Sequence, residues 1–545
     1  MALARDQFTA PARFRNRTAC PPGAFSKVVF RNPVRFWLCY GAIFILTLAV
    51  TSTLNAVPDP LPVKQEPFYR ESRASAPAIS REFRGVWVAT VGNIDWPSTN
   101  SLTTEQQKSE LVAIMDKAAR LKLNVLIFQV RPACDALYSS TLEPWSEYLT
   151  GAMGKAPDPY YDPLSFAIEE AHKRGLELHA WFNPYRARHS NAKSPVSPTH
   201  ISKTRPQLVR NYGYSLWLDP GEKDVQEYSL SVVMDVVRRY DVDGIHFDDY
   251  FYPYKVKGAS GADLAFPDEP SWKRYGSPGR LDRDDWRREN VNQFIQRAYK
   301  SIKAAKPWVK FGVSPFGIWR PGNPPQIRGF DAFEDLYADS KKWLAAGWVD
   351  YFAPQLYWSI DAPQQSFPVL LNWWHGQNSK QRILAPGLDD TKTMRQWSPD
   401  EIVNQIALTR KTSGADGQIH WNMKSLLRNA ELGRALADKG YGDPALVPPC
   451  PWLSRKSPVK PRISANVDGA RLNLRWETGE QGAENSVWVL SMKRGTSWKT
   501  EILPSQRHSM TVDGPLPDLV AIRCANRYGN LSAPFVLETS QRLRQ

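Results

Sequence analysis

Two adjacent carboxylates, Asp248 and Asp249, sit inside the stretch DGIHFDDYFYPY at residues 243–254. Like charges at neighbouring positions raise one another's pKa, so one of the pair can hold a proton while the other stays ionised. Hydrolysis of a glycosidic bond uses two carboxyl groups in those two states. Asp249 also suits a simpler role as the cap of a turn or helix. Successive strand side chains point to opposite faces, so a partner for Asp248 could also come from another strand. Asp389 in LAPGLD has the right parity, Asp95 in NIDWPS is another candidate, and Asp135 and Asp361 are more distant ones.

Hydroxyl-rich ligands need directed hydrogen bonds and flat apolar platforms. Asn183, Tyr185 and Arg186 in AWFNPYRA offer an amide, a hydroxyl and a guanidinium. Gln355, Tyr357 and Trp358 in PQLYW offer a similar set, joined by Arg131, His246, Trp421 and Asn422. Trp96 beside Asp95 and Tyr252 after the carboxylate pair complete the inventory of substrate-binding candidates. Each alone could be structural: Trp358 and Trp421 as core, His246 as a hydrogen-bonded interior residue. No Ser-His-Asp order, HExxH helix or cysteine nucleophile signature competes. The five cysteines are scattered without metal-ligand spacing, so neither a metal nor a cofactor is expected. In an oxidising compartment Cys450 and Cys524 could pair.

The elements that must position these residues follow from periodicity. Apolar strands are predicted at 83–90, 124–132, 176–184, 243–250, 309–317, 349–358, 382–389 and 417–423. Amphipathic helices lie between them, as in TEQQKSELVAIMDKAARLKL and DVQEYSLSVVMDVVRRY. Eight β-α units over residues 81–442 predict an α/β fold, a (β/α)8 TIM barrel. On strand after strand the polar residues share one parity near the C-terminal end: His179, Trp181 and Asn183; His246 and Asp248; Gln355 and Tyr357; His420 and Asn422. Active sites of such barrels lie at that end. A proline-rich linker is predicted at 443–461, and short alternating strands over 462–540 predict a small C-terminal β-sandwich.

Composition bounds the rest. The formal charge is +15 and tryptophan numbers 21. Residues 1–35 carry seven Arg/Lys against one acid, and the uncharged run 36–58 that follows reads as a signal anchor or signal peptide. Everything beyond it is then exported to the periplasm or cell envelope, anchored in the inner membrane if the segment is not cleaved. Residues 59–80 read as a flexible linker. No basic block interleaved with aromatics appears, which argues against a nucleic-acid partner.

The strings REFRGVWVATVGNIDWPS, NVLIFQVRPACDALYSS, LEPWSEYLTG, YYDPLSFAIEEAHKRGLELHAWFNPYR, DGIHFDDYFYPY and PQLYW resemble the bacterial glycosyl-hydrolase-like 10 family over nearly the whole of 80–440. The resemblance implies an exported TIM barrel of glycosidase type. At least one cell-division member of that family cleaves peptidoglycan glycan strands that have lost their stem peptides. The resemblance also implies that Asp248 and Asp249 lie at the catalytic strand end, with Asn183 and Arg186 at the rim. That member is a lipoprotein, and the lipoprotein box is absent here. The expected activity is therefore a glycoside hydrolase acting on cell-wall glycan. The alternatives are a non-catalytic glycan-binding barrel, or a hydrolase of another polysaccharide such as an α-glucan. The C-terminal segment, ending RYGNLSAP, resembles a fibronectin type III-like module.

Overall fold

The computed structural model describes residues 65–478 and 485–543. The basic segment 1–35, the apolar segment 36–58 and the first residues of the 59–80 linker lie outside the described residues. Among the described residues no helix is long and apolar enough to cross a membrane.

Nine parallel strands form the central sheet: β1 (Phe83–Val88), β2 (Val125–Arg131), β3 (Glu177–Phe182), β4 (Gly244–Phe247), β5 (Lys310–Val313), β6 (Tyr351–Phe352), β7 (Ile383–Leu384), β8 (Gly387–Asp389) and β9 (Gly417–Trp421). Their order is β7-β6-β5-β4-β3-β2-β1-β9-β8. The two ends of that order, β7 and β8, are separated in the chain only by Ala385 and Pro386. Proline has no N–H to donate to a ladder, so the predicted strand 382–389 is interrupted at Pro386. Its first half pairs with β6 and its second with β9. Pro354 likewise interrupts the predicted strand 349–358; beyond it Gln355 bridges to Phe316 and Gly387. The sheet thus curls back toward itself, giving a mixed α/β, TIM-barrel-like architecture.

Side-chain alternation divides the sheet as expected on β3 and β4. Leu178, Ala180, Phe182, Ile245 and Phe247 pack outward against the helices. Trp181 belongs to the inner cluster with Phe83, Trp87, Ile127, Tyr351 and Ile419. Glycine makes two of the inner contacts possible. A Cβ on Gly244 would lie 2.6 Å from the His179 ring, and one on Gly312 2.0 Å from the Tyr351 ring. The last strand reverses the expected parity. Ile419 and Trp421 face the interior, while His420 points outward, its Nδ1 2.9 Å from Asp390 Oδ2 and its Nε2 2.7 Å from the Tyr441 hydroxyl. Partners in the helix layer make that orientation favourable for a polar ring.

The helices follow the predicted spacing. Thr104–Arg120 begins with a capping box between Thr103 and Gln106 and buries Leu111, Ile114, Met115 and Ala118. Lys223–Arg239 buries Val225, Val232, Val233, Val236 and Val237. A small antiparallel sheet (Arg186–Arg188, Val209–Tyr212, Ser215–Leu218) is inserted after β3; periodicity had not marked it.

Beyond residue 461 lie two antiparallel sheets. One contains Arg462–Asp468, Arg471–Glu477 and Ser509–Asp513; the other has five strands. Ile463, Leu474 and Trp476 from the first meet Trp488, Leu490 and Ile522 from the second in one apolar cluster. The fifth strand of the larger sheet is Gln65–Glu71, paired with Phe535–Leu543, so this part of the expected flexible linker is ordered. It covers an edge that would otherwise present unpaired backbone groups, and the Tyr69 hydroxyl donates to the Pro517 carbonyl at 2.6 Å. Ser80–Arg81 pairs with Ala445–Leu446, and Val447 and Cys450 of the second expected linker join the inner cluster at the base of the curled sheet. Cys450 and Cys524 are separate buried thiols.

Candidate active site

Asp248 is the first residue past β4 and continues the inner parity of His246. It is buried, and its side-chain partners come from β3 and the loop that follows it. Trp181 Nε1 donates to Oδ2 at 3.1 Å, and the Asn183 amide reaches both oxygens at 3.2 Å. The backbone N–H of Tyr250 adds a 3.3 Å contact to Oδ1. All of these groups can only donate, which suits an ionised carboxylate. Burial, the largest influence, pushes the Asp248 pKa up to about 6; Arg186 opposes the rise and the neighbouring Asp249 adds to it.

Asp249 turns the other way. Its Oδ2 accepts a hydrogen bond from the Tyr254 hydroxyl, and the Gln355 side chain, from the end of β6 two strands away, bonds it as well. Burial raises its pKa too, with Tyr254 the chief opposing influence. Both carboxyls are thus withdrawn from water and share one nearby cation. Arg186 lies 4.3 Å from the centroid of the Tyr250 ring, and its backbone N–H is fixed by the Asn183 carbonyl oxygen of the side chain at 2.8 Å. A guanidinium over an aromatic face is oriented while keeping its charge.

One layer deeper, His246 is fully buried. Its Nε2 is 3.1 Å from Trp87 Nε1, a group that can only donate, so Nε2 accepts and Nδ1 faces the Tyr351 hydroxyl at 2.9 Å with the hydrogen. Burial holds its pKa well below the usual imidazole value. The ring is a neutral support beneath Asp248, with both nitrogens bonded to protein groups.

Several other expected binding residues lie elsewhere. Arg131 is displaced by a register shift after Gln129 that sets it opposite Phe182, an outward-facing position. There it is locked onto Glu143, with Nε–Oε2 at 2.8 Å, and both side chains are buried. Tyr185 packs on Phe294, and Tyr252 on Phe266 and Tyr337, all in the outer apolar layer. Trp96 is fully buried against Phe128 and donates to the Gln107 carbonyl at 3.0 Å. Asp95 ties two backbone segments, accepting from Ala89 N at 2.7 Å and Lys424 N at 2.8 Å. Asn422 caps the helix Met423–Arg428 through Ser425. In each case the loop or helix layer satisfies the polar group or buries the ring, a contact that the local pattern does not reveal.

Four expected residues do gather near the carboxylates. Gln355 bonds Asp249 and donates to the Ser314 carbonyl at 2.9 Å. The Tyr357 hydroxyl lies in the field of both Asp389 and Asp249. Trp421 is partly exposed, edge-on to Trp87 and Trp181, and Trp358 is half-buried against Phe316. Asp389 keeps the inner parity of β8. Its Oδ1 is engaged by the Thr391 hydroxyl at 2.5 Å, and Lys392 lies 3.9 Å from Oδ2. Asp135 accepts from Ala133 N at 2.9 Å and Asp361 is exposed. The site also contains Trp181, Tyr250 and Tyr254, which were not among the candidates. The β3 alternation carries the signal for Trp181, since it shares a face with His179 and Asn183. Among the described residues no cluster of His, Cys, Asp or Glu could hold a metal ion.

Comparison with known proteins bears on this arrangement. The glycosyl hydrolase-like 10 family matches residues 82–399. Glycosyl hydrolase YngK of Bacillus subtilis is 41% identical over 444 residues, covering 78% of this chain and 86% of that protein. Glycosyl hydrolase DigH of Escherichia coli is 37% identical over 321 residues, 55% of this chain and 71% of its own. Among solved structures, the PgaB (BpsB) glycoside hydrolase domain of Bordetella bronchiseptica aligns with 66% of this chain and 98% of its own, at 13% identity and a TM-score of 0.44. The chain belongs to the glycosyl hydrolase-like 10 family, and it is a glycoside hydrolase.

Proposed function

We propose that this protein is exported to the cell envelope and cleaves glycan strands of the bacterial cell wall, peptidoglycan without stem peptides in particular, with Asp248 as an essential carboxylate. The observation that carries the reading is the set of donors around Asp248: Trp181, Asn183 and the Tyr250 backbone all present N–H groups to it. They favour its ionised form, the form needed to attack or stabilise the anomeric carbon. Asp249 is bonded by the Gln355 amide and by a hydroxyl, that of Tyr254, and a hydroxyl, unlike the N–H groups around Asp248, can rotate to accept from a protonated carboxyl. Asp249 is therefore the acid of the pair: its proton goes to the glycosidic oxygen as that bond breaks. Water then supplies the hydroxyl of the new reducing end and returns a proton to Asp249. Asp389 is the reserve partner.

Arg186 holds the charge of the pair or a ring substituent, with Asn183 beside it. Gln355 and Tyr357 bond sugar hydroxyls, and Trp421 and Trp358 give flat faces. Stem-peptide-free strands carry a lactyl carboxylate on alternate sugars, and the positive charge that remains beyond residue 35, +9 of the +15, suits such a polymer. The curled sheet is read as a closed (β/α)8 barrel and the two C-terminal sheets as a fibronectin type III-like sandwich.

The test incubates the full chain with denuded peptidoglycan and follows new reducing ends, with mass spectrometry of the products. Asp248→Asn is expected to abolish cleavage while the protein stays folded; wild-type activity in that variant would remove Asp248 from the mechanism. Retention on the strands without any products would make the protein a glycan binder.

A further inference from the structure

At the end of the curled sheet opposite Asp248, a groove of about 520 Å³ separates the starts of β1, β2 and β3 from the larger C-terminal sheet. This is the size of ordinary ligand sites, which favour junctions between structural units. The strand Ser497–Pro504 is the edge of that sheet. Its Ile502 packs with Val487, Val489 and Ala525 against Leu446, and the two-residue alternation puts Trp498 on the same side, facing the groove. Trp498 is half-buried, and its indole N–H has no hydrogen-bond partner among the described residues.

The charges around the groove are unbalanced. Arg81 lines it and donates to the Val447 carbonyl at 3.0 Å. Arg523, on the sheet side, donates to the Pro77 carbonyl at 2.9 Å. Among the described residues neither guanidinium forms an ion pair. Burial, and then Arg523, lower the Arg81 pKa to about 10. Lys122 bonds the Gly442 carbonyl and no acid. Of the acids that line the groove, Glu177 is committed to Lys310 at 2.9 Å and Glu501 to Lys499 at 2.9 Å, while Asp443 is exposed. Half-buried cations within one another's field and without an ion-pair partner are unfavourable unless an anion joins them.

We propose that this groove is a second glycan-binding site, taking a carboxylate-bearing sugar strand with a ring on Trp498 and its carboxylate on Arg81. A flat indole face with a free N–H, lining the same groove as an unpaired guanidinium, matches a ring with a charged substituent. The site would hold the polymer away from the cleavage centre, so that a bound strand is presented repeatedly to Asp248. The choice of probe rests on the substrate proposed above.

The experiment measures binding of the full chain carrying Asp248→Asn, which prevents turnover, to denuded peptidoglycan strands by co-sedimentation. Arg81→Gln and Trp498→Ala are compared on that background, with a thermal melt of each; Arg81→Gln serves if Trp498→Ala does not fold. Loss of a charge-assisted contact should weaken binding about tenfold. Methyl esterification of the strand carboxylates should have the same effect, and esterified strands should no longer distinguish Arg81→Gln from its parent. Equal affinity of the groove variants for native strands, or no binding by the parent, overturns the proposal. Cleavage by the wild-type chain together with unaltered binding in the groove variants would sink the groove alone. Weaker binding in those variants without cleavage by the wild type would sink the catalytic reading alone.

Discussion

Asp248→Asn should stabilise the folded protein at neutral pH, although it removes a residue held by four contacts. Burial raises the Asp248 pKa from 3.8 to about 6. A carboxyl whose folded pKa lies above its unfolded value favours the folded state below the unfolded pKa. That advantage is lost as pH rises through the window between the two. At about 1.36 kcal/mol per pKa unit, keeping Asp248 ionised above that window costs about 3 kcal/mol. Asparagine carries no charge and avoids this cost, but it has one acceptor oxygen where Asp248 has two. Either Trp181 Nε1 or the Asn183 amide then loses its partner, a penalty of about 1–2 kcal/mol. Arg186 also loses one of its two nearby charges. The net expectation is a gain of about 1–2 kcal/mol at pH 7, shrinking to nothing or reversing below about pH 4. The assay is denaturant unfolding of wild type and variant at several pH values between 4 and 8. A variant that is less stable at pH 7, or a difference that does not change with pH, would refute the argument that Asp248 is held ionised at the expense of the fold.

Trp181→Phe removes one donor to the Asp248 carboxylate while keeping a ring against Trp421. The pKa of Asp248 should rise by about one unit, moving the acid limb of the pH profile of kcat/KM upward; a uniform loss of activity with that limb unmoved would contradict the role assigned to Trp181. Tyr185→Phe and Tyr252→Phe should leave both activity and stability within about 0.5 kcal/mol of wild type, because neither buried hydroxyl has a hydrogen-bond partner among the described residues. A large loss of cleavage in either would return that tyrosine to the site.

How far the site was legible depends on the distance over which its geometry is decided. Asp248 could be placed from its own strand, because parity is local and β4 is regular. Arg131 sits on a strand just as apolar, yet a single register shift beyond Gln129 turns it to the outer layer, and no residue type announces such a shift. Tyr185 and Tyr252 follow candidate site residues in sequence, but helix packing takes them into the outer core. Trp181 was visible on the right face, but its value as a donor emerges only where the Asp248 carboxylate meets it.

Composition and periodicity alone determined the alternation of strands and helices, the inner parity of β3 and β4, and the carboxylate pair at the end of β4, since each depends on neighbours a few residues apart. Tertiary structure alone decided that Asp248 is ringed by N–H donors while Asp249 meets the Tyr254 hydroxyl and the Gln355 amide, and that Gln65–Glu71 closes the C-terminal sheet some 470 residues away in the chain. It also brought Arg81 and Arg523 together without a counter-ion. Those outcomes depend on which distant groups burial brings within hydrogen-bonding or Coulombic reach, and no local pattern of residues encodes that distance.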